Sequence, residues 1–227
     1  MHITDELLKY NEQDLPKSFV SLAVKIEEKV ATHAALLIRL NNIDYLHHFP
    51  GNEKPKIEID FNGDGWYIYK ILKFLNIEDD NDVASILSHC KRICEKSEIT
   101  YSYIADGSSH TDKGEFISKM GLPEFGTCVG FCLNTLTSLM FDSEDKSILE
   151  LSEWDDSEIE EWVDNYGKAQ AQKKYPNLDW VLYNSFKKRI TPIDYLCSSL
   201  FETYPINKKQ IETVKPKVLE KILILFQ

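Results

Sequence analysis

What this chain lacks narrows its class before any motif is read. No apolar run approaches the ~18 residues of a membrane-spanning helix. The stretch Met1 to Glu6 has no basic segment followed by an apolar one, so it does not read as a secretory signal. Together these absences lead to the expectation of a cytoplasmic protein; export by a leaderless route would look the same. Basic charge is also short, with 26 Lys and Arg against 37 Asp and Glu and a net charge of -11. That balance argues against nucleic acid as the main partner and against an anionic membrane surface. Glycine and proline are sparse, 9 and 8 among 227 residues, and no repeat or low-complexity tract is visible, so disorder is not expected. The five cysteines are an odd set without a signal, which suits free thiols in a reducing compartment.

What is present is an ordinary globular composition, 43% hydrophobic and 28% charged, long enough for one sizeable domain or a domain with an appendage. Residues 1–16 are polar and read as a short helical turn or a loose lead-in. From Lys17 the pattern turns to strand. Phe19, Val20, Leu22, Val24 and Ile26 suggest one, and the nearly continuous apolar run Thr32 to Ile38 a second, buried on both faces. Asn41-Asn42 is a turn signal, and Ile43 to Phe49 reads as the return strand. Short strands are expected at 56–60 and 66–73. The cluster Asp79 to Asp82 starts a helix whose stripe is Val83, Ile86, Leu87, Cys90, Ile93 and Cys94. Thr100 to Ile104 suggests another strand, and 105–119 a loop.

The stretch Gly126 to Leu136 has the form of a nucleophile site. Thr127 is an N-cap, Cys128 stands in the first helical turn, and Phe131, Leu133, Leu136, Leu139 and Met140 follow as an apolar run. A thiol there meets the positive end of the helix dipole and unpaired N–H groups, which favour a thiolate and can bind an oxyanion. After an acidic break at 142–146 the pattern is helical. Ser152 to Gln172 reads as one helix with an acidic first turn (Glu153, Asp155, Asp156), packed by Trp154 and Trp162. Pro176, Pro192, Pro205 and Pro216 divide the remainder into short helices. His89 and His110 have no evident partners and read as surface residues.

Thr-Cys-Val-Gly-Phe at 127–131 resembles the Asp-Cys-Ser-Gly-Phe motif of NlpC-type cell-wall peptidases in the papain-like superfamily. Thr32 to Ile38 resembles their Ser-His-Val-Gly-Ile-Tyr strand, and Tyr45-Leu46-His47 their Tyr-Ile-His. Here the histidine strands precede the cysteine helix, so the resemblance is to the circularly permuted branch, which includes lecithin–retinol acyltransferase-like proteins. It spans residues 17–141, with Thr127 where Asp is usual and Ala35 where Gly is. It implies an α+β, papain-like (permuted NlpC-type) fold: an antiparallel sheet packed against a nucleophile-bearing helix over residues 17–145, with a helical C-terminal extension over 146–227.

The resemblance further implies a Cys-His-His triad. Cys128 is the nucleophile, His33 the base and acid, His47 the residue that fixes its tautomer, and Tyr103 or Tyr101 an assisting hydroxyl. His48 is the alternative third residue, because strand neighbours point to opposite faces. A strict two-residue Asn41-Asn42 hairpin puts His48 on the face of His33, whereas an odd loop or a bulge selects His47; the family motif favours His47. The expected reaction is cleavage of an amide bond in a peptide or peptidoglycan fragment through a thioester. Two alternatives stand beside it: acyl ester or thioester chemistry on the same triad, and a non-catalytic immunity-type or scaffold protein that keeps the fold. The i, i+4 spacing of Cys90/Cys94 and Cys128/Cys132 fits a four-thiolate zinc site or twin disulfides. Mid-helix placement and the absent signal argue against both, so no metal and no cofactor are expected. Oligomeric state is not readable.

Overall fold

A computed structural model describes residues 3–11, 15–59, 61–69, 71–75, 77–140 and 147–227. The strands, in chain order, are β1 (Leu7–Lys9), β2 (Phe19–Glu27), β3 (Val30–Leu40), β4 (Ile43–His48), β5 (Lys56–Ile59), β6 (Trp66–Tyr69), β7 (Thr100–Tyr101), β8 (Ser109–His110), β9 (Phe116–Ile117) and β10 (Phe125–Gly126). The α-helices are α1 (Asp80–Lys96), α2 (Cys128–Leu139), α3 (Glu161–Lys174), α4 (Trp180–Ser185), α5 (Pro192–Ser198) and α6 (Lys208–Leu225). The fold is mixed α+β: an antiparallel six-stranded sheet ordered β1-β6-β2-β3-β4-β5, with helices laid against it. Among the described residues no helix is long and apolar enough to cross a membrane.

Strand alternation divides the central strands between two cores. Val20, Leu22, Val24, Ala34, Leu36 and Ile38 face the helices, where they meet buried residues of α1, α2, α5 and α6. Phe19, Ala23, Ala35 and Leu37 face the other way, into a thinner layer with Leu46, Trp66 and Ile68 that is covered by Leu8, Tyr10, Leu15 and Phe61. The described part of the lead-in holds the expected short helical turn, a 3-10 turn over Ile3–Glu6, and then β1, which pairs with β6; Leu7 is buried in the main core, and the Tyr10 hydroxyl donates to Asp44.

The Asn41-Asn42 turn is a strict two-residue hairpin, with φ of 52° and 65° at the two asparagines and Leu40 facing Ile43. Arg39 clamps it with two hydrogen bonds to Asp44, of 2.6 and 2.7 Å. α1 is capped by Asp79, whose side chain accepts from the Asn81 and Asp82 amides in a capping box. The expected stripe is buried, apart from the half-buried Cys94.

Several local expectations are corrected. Of the strand expected over 66–73, Trp66–Tyr69 is strand, whereas Lys73–Leu75 forms a 3-10 turn. The 105–119 loop contains the β8–β9 hairpin. The helix expected from Ser152 starts at Glu161, so Glu153, Asp155 and Asp156 do not charge its first turn. Trp154 is buried, but Trp162 is 71% exposed. Pro216 lies inside α6 rather than ending a helix. The acidic break at 142–146 lies outside the described residues.

Candidate functional site

Cys128 opens α2 as expected. Thr127 caps the helix, its hydroxyl accepting from the Gly130 amide at 3.2 Å. The half-buried thiol lies on the helix side of the sheet, against the main core. β4 pairs with β3 only from Ala35 onward, and the backbone amide of Ala34 points at the sulfur along with those of Val129 and Cys128 itself. Burial drives the thiol pKa up; these amides and the Arg189 guanidinium pull the other way, and burial prevails. Tyr101 is in electrostatic reach of Cys128, is hydrogen-bonded to Tyr103, and has its own pKa raised, mainly by burial. The Arg189 guanidinium lies 5.2 Å from the centre of the Tyr103 ring. Tyr195 of α5 hydrogen-bonds the Ala35 carbonyl at 3.1 Å, so the C-terminal helices close this side of the sheet.

The expected histidines lie elsewhere. His33 stands with Ala35 and Leu37 on the opposite face of β3, its Nε2 2.9 Å from His48 Nδ1 and its ring 6.0 Å from that of Trp66. The register settles the parity question: Ala35 faces His48 and Leu36 faces His47, so His48, not His47, shares a face with His33. The preference for His47 rested on a motif spacing that a two-residue hairpin does not produce. His47 is fully buried between the sheet and the helices. Its Nε2 is 3.1 Å from the Thr135 hydroxyl, its Nδ1 3.3 Å from the Cys94 sulfur, and its ring 4.8 Å from that of Phe131. Among the described residues the histidines spend their hydrogen bonds on one another, on Thr135, Ser138, Glu124, Cys94 and the Asp112 backbone, and none goes to Cys128.

The environments set the charge states. Burial, with neighbouring His110 as a lesser cause, pulls His47 down to about 3. Burial and then His48 pull His33 down to about 4, and burial also lowers His48 and His89. All four are neutral imidazoles near pH 7. The Cys94 thiol is pushed up to about 12 by burial, so Cys94 and His47 form a neutral thiol–imidazole pair rather than a thiolate–imidazolium one. His89 and His110 are not surface residues: both are buried, His89 against Ser138 at 2.9 Å and His110 against Glu124 at 3.4 Å. Burial pushes Glu124 up, yet bonds from His110, Ser97 and the Glu98 amide hold it below the usual range.

Two clefts flank these groups. One, of about 620 Å³, lies over Tyr101 between the 51–55 turn and α3, with Phe49, Tyr166, Lys173 and Lys174 on its walls. The other, of about 470 Å³, opens on the far face of the sheet over His33, His48 and Trp66, with Glu27, Glu58 and Asp64 at its sides. Glu58 Oε2 stands 3.6 Å from His48 Nε2, completing a row Glu58–His48–His33. The sequence reading missed Glu58 and Trp66: the alternation of the Lys56 to Ile59 strand puts Glu58 on the face of His48, and Trp66 stands by His33 because Lys25 of β2 pairs with both. No group of three or more His, Cys, Asp or Glu side chains is arranged to hold a metal ion among the described residues. No known protein family, curated protein or solved structure matches this chain.

Proposed function

We propose that this chain is a non-catalytic binding protein built on the permuted papain-like frame that its motif order resembles. One observation carries the reading: His33 and Cys128 lie on opposite faces of β3, the imidazole against His48 and the thiol against the Ala34 backbone. A cysteine hydrolase needs a thiolate and an imidazole within hydrogen-bond reach of each other. Here the thiol is held protonated by burial, and Ala34 occupies the sheet position that faces it. The surface offered to a partner is aromatic and acidic. Trp162 projects from the first turn of α3 beside Glu160 and Glu161, which suits a cationic protein partner.

Alkylation kinetics test the reading. With iodoacetamide at pH 6, Cys128 is expected to react no faster than the other half-buried thiol, Cys94, and His33→Ala to leave the rates unchanged. A Cys128 rate that is much faster and depends on His33 overturns it. A second reading, amide-bond or acyl-ester hydrolysis through a thioester on Cys128, is favoured by the three amides at the sulfur and by Tyr101, which together resemble an oxyanion site. In that case the fast labelling is accompanied by Cys128→Ala-sensitive hydrolysis.

A further inference from the structure

The cleft on the far face of the sheet holds a feature that the binding-protein reading does not use. His33 and His48 sit on adjacent antiparallel strands, and two of their ring nitrogens, Nε2 and Nδ1, come within 2.9 Å. His48 is only 7% exposed, and its outer nitrogen, Nε2, is buried with no partner at hydrogen-bond distance. Facing that nitrogen at 3.6 Å is a Glu58 carboxylate oxygen, itself held by Lys56 at 2.9 Å. Both imidazoles are neutral near pH 7, the state in which ring nitrogens ligate metals.

We infer that His33 Nε2 and His48 Nδ1 form a binding site for a first-row divalent transition-metal ion, with the Glu58 carboxylate orienting His48 from behind.

The chemistry of the donor set is specific. Imidazole nitrogen suits zinc, nickel, cobalt or copper rather than magnesium or calcium, which prefer oxygen. An ion entering between the two rings replaces the hydrogen bond that now joins them, and the rings turn slightly apart to give it room. The His33 proton moves to Nδ1, and His48 keeps its proton on Nε2. A coordinated imidazole is a stronger donor at its other nitrogen, so ligation draws Nε2–H toward Glu58 and satisfies the atom that is now unpartnered. Only two protein side chains reach the ion, so water or a ligand donor fills its remaining positions through the open cleft. Asp64 at the rim adds negative charge along the approach, while Glu27 is paired with Lys25 at 2.7 Å. The inference does not depend on what Cys128 does, since that thiol lies across the sheet.

The test uses the full-length chain, stripped with EDTA and dialysed, then titrated with Zn²⁺ in a calorimeter and with Co²⁺ in a spectrophotometer. The expected result is one ion per chain and a Co²⁺ spectrum with nitrogen and oxygen ligands only. His33→Ala and His48→Ala are each expected to weaken binding more than tenfold, and Glu58→Gln by about tenfold or more. His48→Asn, checked for folding by circular dichroism, replaces His48→Ala if that variant does not fold. No binding at millimolar metal overturns the inference. So does binding that survives loss of both histidines, or a sulfur-to-cobalt charge-transfer band, which would place the ion on the cysteines instead.

Discussion

At the residue scale, one sheet position sends two adjacent histidines to different work. His47 is a structural group: it bridges β4 to α1 and α2, taking the Cys94 sulfur on one nitrogen and the Thr135 hydroxyl on the other, while its ring lies on Phe131. Truncating it opens a cavity at the centre of the main core and leaves the Cys94 thiol without that partner. Thr135 is less affected, because its hydroxyl also donates to the Phe131 carbonyl at 3.1 Å. His47→Ala is therefore expected to cost about 2–4 kcal/mol of stability, a large-to-small core loss, as read by urea denaturation. His48→Ala sits at the floor of an open cleft and is expected to cost markedly less. Equal losses for the two would contradict the opposite-face assignment.

At the element scale, α2 is set by its cap and by the space around its first turn. A methyl group added at Gly130 would meet the Ile104 carbonyl at 3.5 Å and the Thr127 hydroxyl at 3.9 Å, both ordinary contacts. Gly130→Ala is thus expected to stabilise the protein by about 0.5–1 kcal/mol through helix propensity. Gly114 is the counter-case: its φ is +79° and an added methyl would lie 2.4 Å from the Arg92 carbonyl carbon. Gly114→Ala is expected to destabilise by at least about 1–2 kcal/mol. Thermal melts of the two variants should move in opposite directions. Elements with a strong local signal were legible in the sequence: the apolar run of β3, the Asn-Asn turn, and the Asp79 and Thr127 caps. Parity was not, because a motif spacing and a hairpin register gave opposite answers, and only the backbone geometry of Asn41 and Asn42 decides between them. The burial of His89 and His110 was hidden for a related reason. Each finds its partner, Ser138 or Glu124, on a different element. Trp162 and the residues before α3 show the converse: α3 begins later than the acidic start suggests, and Glu153 accepts from the Lys208 amide at the start of α6 instead.

At the scale of the whole molecule, one main core runs through the chain from Leu7 to Ile222, with Ile190, Tyr195, Leu196 and Val218 packed into the same cluster as Leu36 and Phe131. The C-terminal helices are continuous with the sheet's core, so protonation of buried groups acts on a single folding unit. Burial holds His47 at about 3 when folded, against about 6.5 in an unfolded chain. Between those two values the unfolded state binds more protons, so stability rises with pH and is lost as pH falls below about 6.5. His47 alone is worth on the order of 5 kcal/mol across that window, comparable to the roughly 5–15 kcal/mol that hold a domain together. His33, at about 4, adds to it with the same sign. The lowered carboxylates, such as Glu124 and Asp164, also lose their contribution in acid, but only below their unfolded pKa near 4. The interval from pH 5 to 6 therefore isolates the histidines. There the unfolding free energy of His47→Gln is expected to fall with pH less steeply than that of the wild type, by about 1.4 kcal/mol per pH unit. Urea titrations at three pH values measure the difference, and parallel slopes would mean that His47 is not held neutral inside the core.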